Sequence, residues 1–156
     1  MRDILFKAKR KDGGEWIEGY LFNNGYGGEE ERFFVGHIII DEYVGTADDD
    51  WDITGIDFAE VIPETVCQYT GLKDKDGQEI WENDILDDWN GGTAVVKFGK
   101  FEIEDEHDCS TTEINGWYVD FIKTNYASEL SNAEIRSRHF LSVGNIFDNP
   151  ELLEVS

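Results

Sequence analysis

The first third of the chain alternates apolar and polar residues with a period of two. Ile4, Phe6 and Ala8 fall on one side of the opening segment, and Asp3, Leu5 and Lys7 on the other, which predicts a strand. Lys11-Asp12-Gly13-Gly14 offers the positive-φ residues of a tight turn. Glu15 to Phe22 then reads as a returning strand, with Trp16, Ile17, Tyr20 and Leu21 as its apolar content. Asn23 to Gly28 holds three glycines in six positions, a composition too costly in entropy for a regular element, and reads as a loop. Arg32 to Ile40 is aromatic and β-branched, and predicts one or two strands with a bulge at Gly36. Ala47 to Asp52 reads as an acidic loop. Phe58 to Val66 reads as a strand region broken at Pro63, which removes a ladder donor.

The centre of the chain is the most regular. Val66 to Thr70, Glu79 to Trp81, Asp84 to Leu86 and Thr93 to Phe98 read as short strands, with a further start at Phe101. Lys73 to Gly77 and Trp89 to Gly92 read as the turns between them. Residues 104–115 are polar and read as a loop. Trp117 to Ile122 and His139 to Val143 read as strands. Between them, Ser131 followed three residues later by Glu134 has the spacing of a capping box, so residues 127–138 read as a short helix or a polar loop. Asn149-Pro150 predicts a terminal helical turn, with Asn as cap and Pro at the first position. Short strands set apart by Gly, Asn and Asp turns are the signature of a small barrel or sandwich, so the fold class is mainly β with short helical pieces. The expected division is residues 1–66 and 67–156, with one continuous domain as the alternative.

Charge changes the picture more than any motif. The chain of 156 residues carries 35 acidic against 13 basic side chains, a formal net charge of −22. Polyanion binding depends on exchanging Lys and Arg for counterions, so direct nucleic-acid binding and attachment to anionic lipid are disfavoured. The same field favours a basic protein partner, including one that itself binds nucleic acid. Ten Phe, six Tyr and five Trp against one Met add to the β expectation. Cys67 and Cys109 lack C-x-x-C spacing and read as reduced thiols. No apolar h-region or membrane-length run appears, which points to the bacterial cytoplasm.

Candidate chemistry is sparse. Asp74-Lys75-Asp76-Gly77 fails as a calcium loop, because with Gly77 in sixth place Leu72 and Asn83 occupy the first and twelfth. Asp48-Asp49-Asp50 with Asp52 could gather a weak divalent ion only if consecutive loop carboxylates converged. His107-Asp108-Cys109 puts potential partners too close in sequence to face each other. His37 lies in an apolar run and reads as a core or edge histidine, His139 has no second ligand at metal spacing, and there is no phosphate-binding glycine motif. No catalytic residue, metal or cofactor is expected.

Gln68-Tyr69-Thr70-Gly71-Leu72-Lys73-Asp74, then Gly77, Ile80-Trp81-Glu82 and Asp84-Ile85, resemble the central motif of the YopX-like family of phage and prophage proteins. Arg2, Ile4, Phe6-Lys7-Ala8, Trp16 and Gly19 resemble its opening, and Gly144 to Leu153 its closing segment. Gly45 to Gly55 matches least. The resemblance implies a phage or prophage accessory protein with an SH3-like barrel in the motif-bearing half, packed with the N-terminal β region; it carries no catalytic residues with it. On the residues themselves, Gly71 and Gly77 fit turn positions, and Glu82 and Asp84 fit carboxylates that accept backbone N–H bonds. Tyr69, Trp81, Glu82, Asp84 and Trp89 are the candidate binding surface, since aromatics dominate binding hot spots. The leading expectation is a non-enzymatic protein-binding module, in its sharpest form an acidic mimic of nucleic acid. Self-assembly through open sheet edges and a metal-dependent hydrolase are the alternatives.

Overall fold

The structure, a computed structural model, describes residues 4–38, 56–124 and 126–154. The acidic loop at Ala47 to Asp52 and the weakly matching stretch around it lie outside the described residues. The chain is mainly β, in antiparallel sheets, and divides into two compact units between Gln68 and Tyr69.

In the first unit β1 (Phe6–Lys9), β2 (Trp16–Asn23), β3 (Phe33–Ile38) and β4 (Ile56–Glu60) lie in the order β4-β3-β2-β1. Cys67 and Gln68, which open β5 (Cys67–Lys73), pair with Lys7 and Phe6. Ala8, Val35 and Val61 form the core, with Ile17, Leu21, Phe33 and Val66 against them. Ala8, Ile17, Leu21, Phe33 and Val35 are the inward set that period-two alternation selects, and Val61 and Val66 flank the turn that follows β4. The strand region from Phe58 ends at Glu60; Val61 makes one isolated bridge to Arg10, and Pro63–Thr65 is a 3-10 turn. Lys9 donates its backbone N–H to the Thr65 hydroxyl at 2.9 Å, tying that turn to β1.

Gly36 forms no bulge. Its register runs unshifted to Tyr20 on one side and Phe58 on the other. Its role is close approach: a Cβ on Gly19 of β2 would lie 2.3 Å from the Gly36 carbonyl oxygen.

Glu60 gathers the cations of this unit's edge. Arg32 donates to both of its oxygens at 3.0 and 2.7 Å, and Lys11 to one at 2.9 Å. The Arg32 hydrogen bond, followed by that of Lys11, holds the Glu60 carboxyl down at about 2. A depressed carboxyl contributes stability that is present above its unfolded value and lost as pH falls toward the folded one. The stability difference between wild type and Glu60→Gln is therefore expected to be constant from pH 7 to about 5 and to shrink as pH falls from there toward 2, measured by urea melts across that range.

The second unit holds the rest of β5, then β6 (Glu79–Trp81), β7 (Asp84–Asp87), β8 (Thr93–Glu104), β9 (Thr111–Phe121), β10 (Ala127–Glu129), α1 (Asn132–Arg138) and β11 (Leu141–Asn145). Five strands are ordered β10-β9-β8-β7-β11 in an open sheet; no closed barrel forms among the described residues. Ile80, Leu86, Ala94, Val96, Val119, Phe121, Leu130, Ile135 and Phe140 make its core. The helical reading of residues 127–138 holds for Asn132–Arg138 only. Ser131 caps it by accepting the Glu134 N–H at 3.2 Å. The return arm of the capping box is absent, because Glu134 instead accepts from Ser128 and Arg138. His139 is the left-handed C-cap at φ 52°, so the last strand begins at Leu141 and not at His139. The terminal turn forms at Pro150–Leu153, but Asn149 does not cap it; its side chain accepts the Asn145 N–H at 3.3 Å.

The polar loop expected over 104–115 is mostly strand. β8 and β9 pair continuously from Ala94↔Phe121 to Glu104↔Thr111, leaving only residues 105–110 as the turn.

Candidate functional site

The central motif is built around a bulge and two carboxylate-stapled turns. Tyr69 pairs with Trp81 and Lys73 with Glu79, so two extra residues of β5 must be absorbed between them. Gly71 takes φ 81°, and the Thr70 hydroxyl fixes the bulge by donating to the Ile80 carbonyl at 2.7 Å and accepting the Leu72 N–H at 3.1 Å. The chain then reverses through Gly77 at φ 83°. Asp74 holds that reversal by accepting the N–H groups of Asp76 and Gln78, each at 2.9 Å. At the next turn Asp84 accepts the Trp81 N–H at 2.9 Å, and Asn83 takes φ 67°.

The five candidate binding residues are not one surface. Tyr69, Trp81 and Asp84 are buried, with the Tyr69 and Trp81 rings 5.3 Å apart. Glu82 is half-buried. Trp89 stands 70% exposed on the following turn, where Asp88 accepts the Asn90 and Gly92 N–H groups at 2.9 and 2.6 Å. Turn spacing alone does not reveal on which side of the chain an aromatic ring falls.

The acidic charge has a local concentration that the expected loop concealed. β7 pairs with β8 only at Thr93–Val95, and β10 with β9 only at Tyr118–Asp120. From Gly99 to Glu104 and from Thr111 to Gly116 the pairing is β8 with β9 alone, a ribbon of roughly 17 Å at the usual rise. Its exposed side chains include Glu102, Glu104 and Glu113, and its turn adds Asp105, Glu106 and Asp108. Glu102 lies directly opposite Glu113, a like-charge pairing that disfavours the ladder. Lys100 partly offsets it by reaching Glu113 at 2.9 Å. Asp108 accepts the Ser110 N–H at 2.8 Å, and its carboxyl is held below the ordinary carboxylate range, first by the Ser110 hydroxyl and then by that N–H. Phe101 and Tyr118 stack at 4.9 Å on the ribbon's other side.

The first unit presents aromatics instead. Phe22, Phe34 and Phe58 pack together with ring centroids 5.5 to 6.4 Å apart, and Tyr20 meets His37 at 5.9 Å. Tyr20 is 57% and Phe58 42% exposed.

A family model described as YopX protein matches residues 6–154. The chain belongs to the YopX family. No curated protein matches it. The matched span takes in both units, including the acidic ribbon of this YopX protein. Its motif glycines and acids shape turns: Gly71 the bulge, Gly77 the reversal, Asp74 and Asp84 the N–H acceptors. Among the described residues no three His, Cys, Asp or Glu side chains are placed to hold a metal ion, and the tetrad Asp48, Asp49, Asp50 and Asp52 lies outside them. His107 and Cys109 are both exposed in the turn of the ribbon, Cys67 is buried, and neither cysteine is in a disulfide. Among the described residues no helix is long and apolar enough to cross a membrane.

Proposed function

We propose that this protein is a non-enzymatic phage or prophage accessory protein that binds a basic protein surface of a kind normally occupied by nucleic acid. The observation that carries this reading is the acidic ribbon. Six carboxylates, Glu102, Glu104, Asp105, Glu106, Asp108 and Glu113, sit on one hairpin end beside a single lysine, although Glu102 opposite Glu113 costs ladder stability. A two-stranded ribbon spaces its charges at regular intervals, which suits a groove built to receive phosphates. The exposed Trp89 of the same unit gives an apolar anchor of the kind that protein interfaces favour. The partner is a protein of the bacterial host or the phage in the cytoplasm, and no cofactor takes part.

The test captures partners on the full chain from bacterial lysate at low and high salt. It is repeated with Glu102, Glu104, Glu106 and Glu113 changed to Gln and Asp105 and Asp108 to Asn. Wild type is expected to retain a nucleic-acid-binding protein that duplex DNA displaces. Retention should fall on the order of tenfold at high salt and again in the neutralised variant, because screening and charge removal weaken the same field. A partner held equally by both proteins, or equally at both salts, overturns the reading.

A further inference from the structure

The second unit contains a cleft of about 540 Å³ whose walls carry the opposite charge to the rest of the molecule. Lys73 is the last residue of β5 and Lys75 lies in the turn after it, and Arg136 and His139 come from α1 and its C-cap, with Ile135 also lining the cleft. Among the described residues Lys73, Lys75 and Arg136 form no ion pair, in a chain where acids outnumber bases 35 to 13. Arg138 is different: it is held by Glu134 and Asp88 and covers the Phe121 ring. The only acid on the wall is Asp74, which is buried and saturated. Its two oxygens accept from the N–H groups of Asp76, Gln78 and Ser142 and from the Gln78 amide.

The two walls are joined by backbone. Lys75 donates its N–H to the Phe140 carbonyl at 3.0 Å, just past His139, and Asp74 reaches the Ser142 N–H at 3.0 Å. The lysine turn and the end of the helix are thus fixed relative to each other, and three exposed cations line one concavity with none of them in an ion pair among the described residues. Like charges on one concavity repel one another, and an anion bound among them relieves that repulsion.

We propose that this cleft binds a small organic phosphate of about mononucleotide size. A phosphate monoester brings close to two charges and three acceptor oxygens, which matches three cations and an imidazole better than a single carboxylate does. The volume lies in the range of roughly 300–1,000 Å³ typical of small-molecule sites and exceeds what a bare phosphate needs. At physiological salt the screening length is about 8 Å, so the local cations and not the net charge decide what enters.

Titration calorimetry of the full chain at constant ionic strength tests this with adenosine monophosphate and, separately, inorganic phosphate. The expected result is saturable one-to-one binding of the nucleotide, tighter than that of phosphate. Lys75→Ala with Arg136→Ala is expected to weaken it at least tenfold with the melting temperature unchanged, whereas Lys123→Ala, on an exposed turn outside the cleft, leaves it as it was. No saturable binding of the nucleotide overturns the proposal, as does equal loss in the Lys123→Ala variant. Phosphate binding as tight as the nucleotide's overturns the organic part of the ligand. The acidic ribbon is untouched by these variants, so either outcome leaves the protein-binding reading to its own test.

Discussion

Gly19→Ala is expected to destabilise the first unit by about 3–5 kcal/mol, through overpacking and backbone strain together. The added methyl would sit 2.3 Å from the Gly36 oxygen, 2.5 Å from its carbonyl carbon and 2.7 Å from its Cα. All three are backbone atoms of the neighbouring strand, so no side chain can rotate aside. Relief requires β2 and β3 to move apart, which breaks the Tyr20↔Gly36 pairing and opens the packing of Leu21 on Val35. Gly19 also has φ 155°, a value that a β-carbon residue adopts poorly. Gly14→Ala is the control. Gly14 has φ 77° in the first hairpin turn with nothing within 4 Å, so its substitution carries only the backbone cost of about 1–2 kcal/mol. Chemical denaturation of both variants, with amide exchange read on β2 and β3, checks the ranking. A Gly19→Ala protein as stable as Gly14→Ala would mean that the two strands are not in contact there.

That close approach shows what alternation can and cannot convey. The inward set Ala8, Ile17, Leu21 and Val35 follows from period two, and the turns at Gly13-Gly14, Gly77 and Gly91 follow from residues that accept positive φ. Gly36 was legible as an irregularity in a strand but not as a contact, because its partner is seventeen positions away and leaves no local mark. The ribbon beyond Gly99 was missed for a different reason. Where no layer covers a ladder, its outer face has no need of apolar residues, and Glu102, Glu104, Glu113 and Asn115 give the composition of a loop. The pairing is carried by backbone groups that sequence does not distinguish. Phe101, Ile103, Ile114 and Tyr118 retain the period-two signal on the other face, and reading that face alone would have extended both strands. The charge of −22 was plain from composition, yet its concentration on one hairpin end depended on the pairing that was missed. The cleft was out of reach for the same cause: Lys73 and Arg136 are joined through Phe140 and Ser142, contacts between turns more than sixty residues apart. Asp84 was legible as an N–H acceptor. Trp81 was not legible as buried, since a strand residue beside a turn has equal sequence grounds for facing in or out.

Asp74→Ala is the substitution expected to unsettle the second unit most for its size, by about 3–5 kcal/mol. A buried carboxylate here gathers three backbone N–H groups, and each orphaned donor costs about 1–3 kcal/mol. Asp76 and Gln78 are exposed enough for water to replace part of the loss; the Ser142 N–H, on half-buried β11, is less well served. Asp74→Asn keeps one oxygen for the Asp76 and Gln78 N–H groups but turns an amide donor toward Ser142, so roughly half the loss is expected. Urea melts of the two variants, with exchange of the Ser142 amide as the local reporter, check the order. Asp74→Ala within about 1 kcal/mol of wild type would mean that the turn does not depend on this carboxylate. The same variant separates two accounts of the cation cleft. If charge alone governed an anion there, removing a negative group from its wall would tighten binding. If the cleft depends on Lys73 and Lys75 being held against the end of α1, releasing their turn from Ser142 weakens binding despite the gain in positive charge. The second is expected, because cations on a loosened turn must be ordered again each time the ligand binds, at an entropy cost that the tethered turn does not incur.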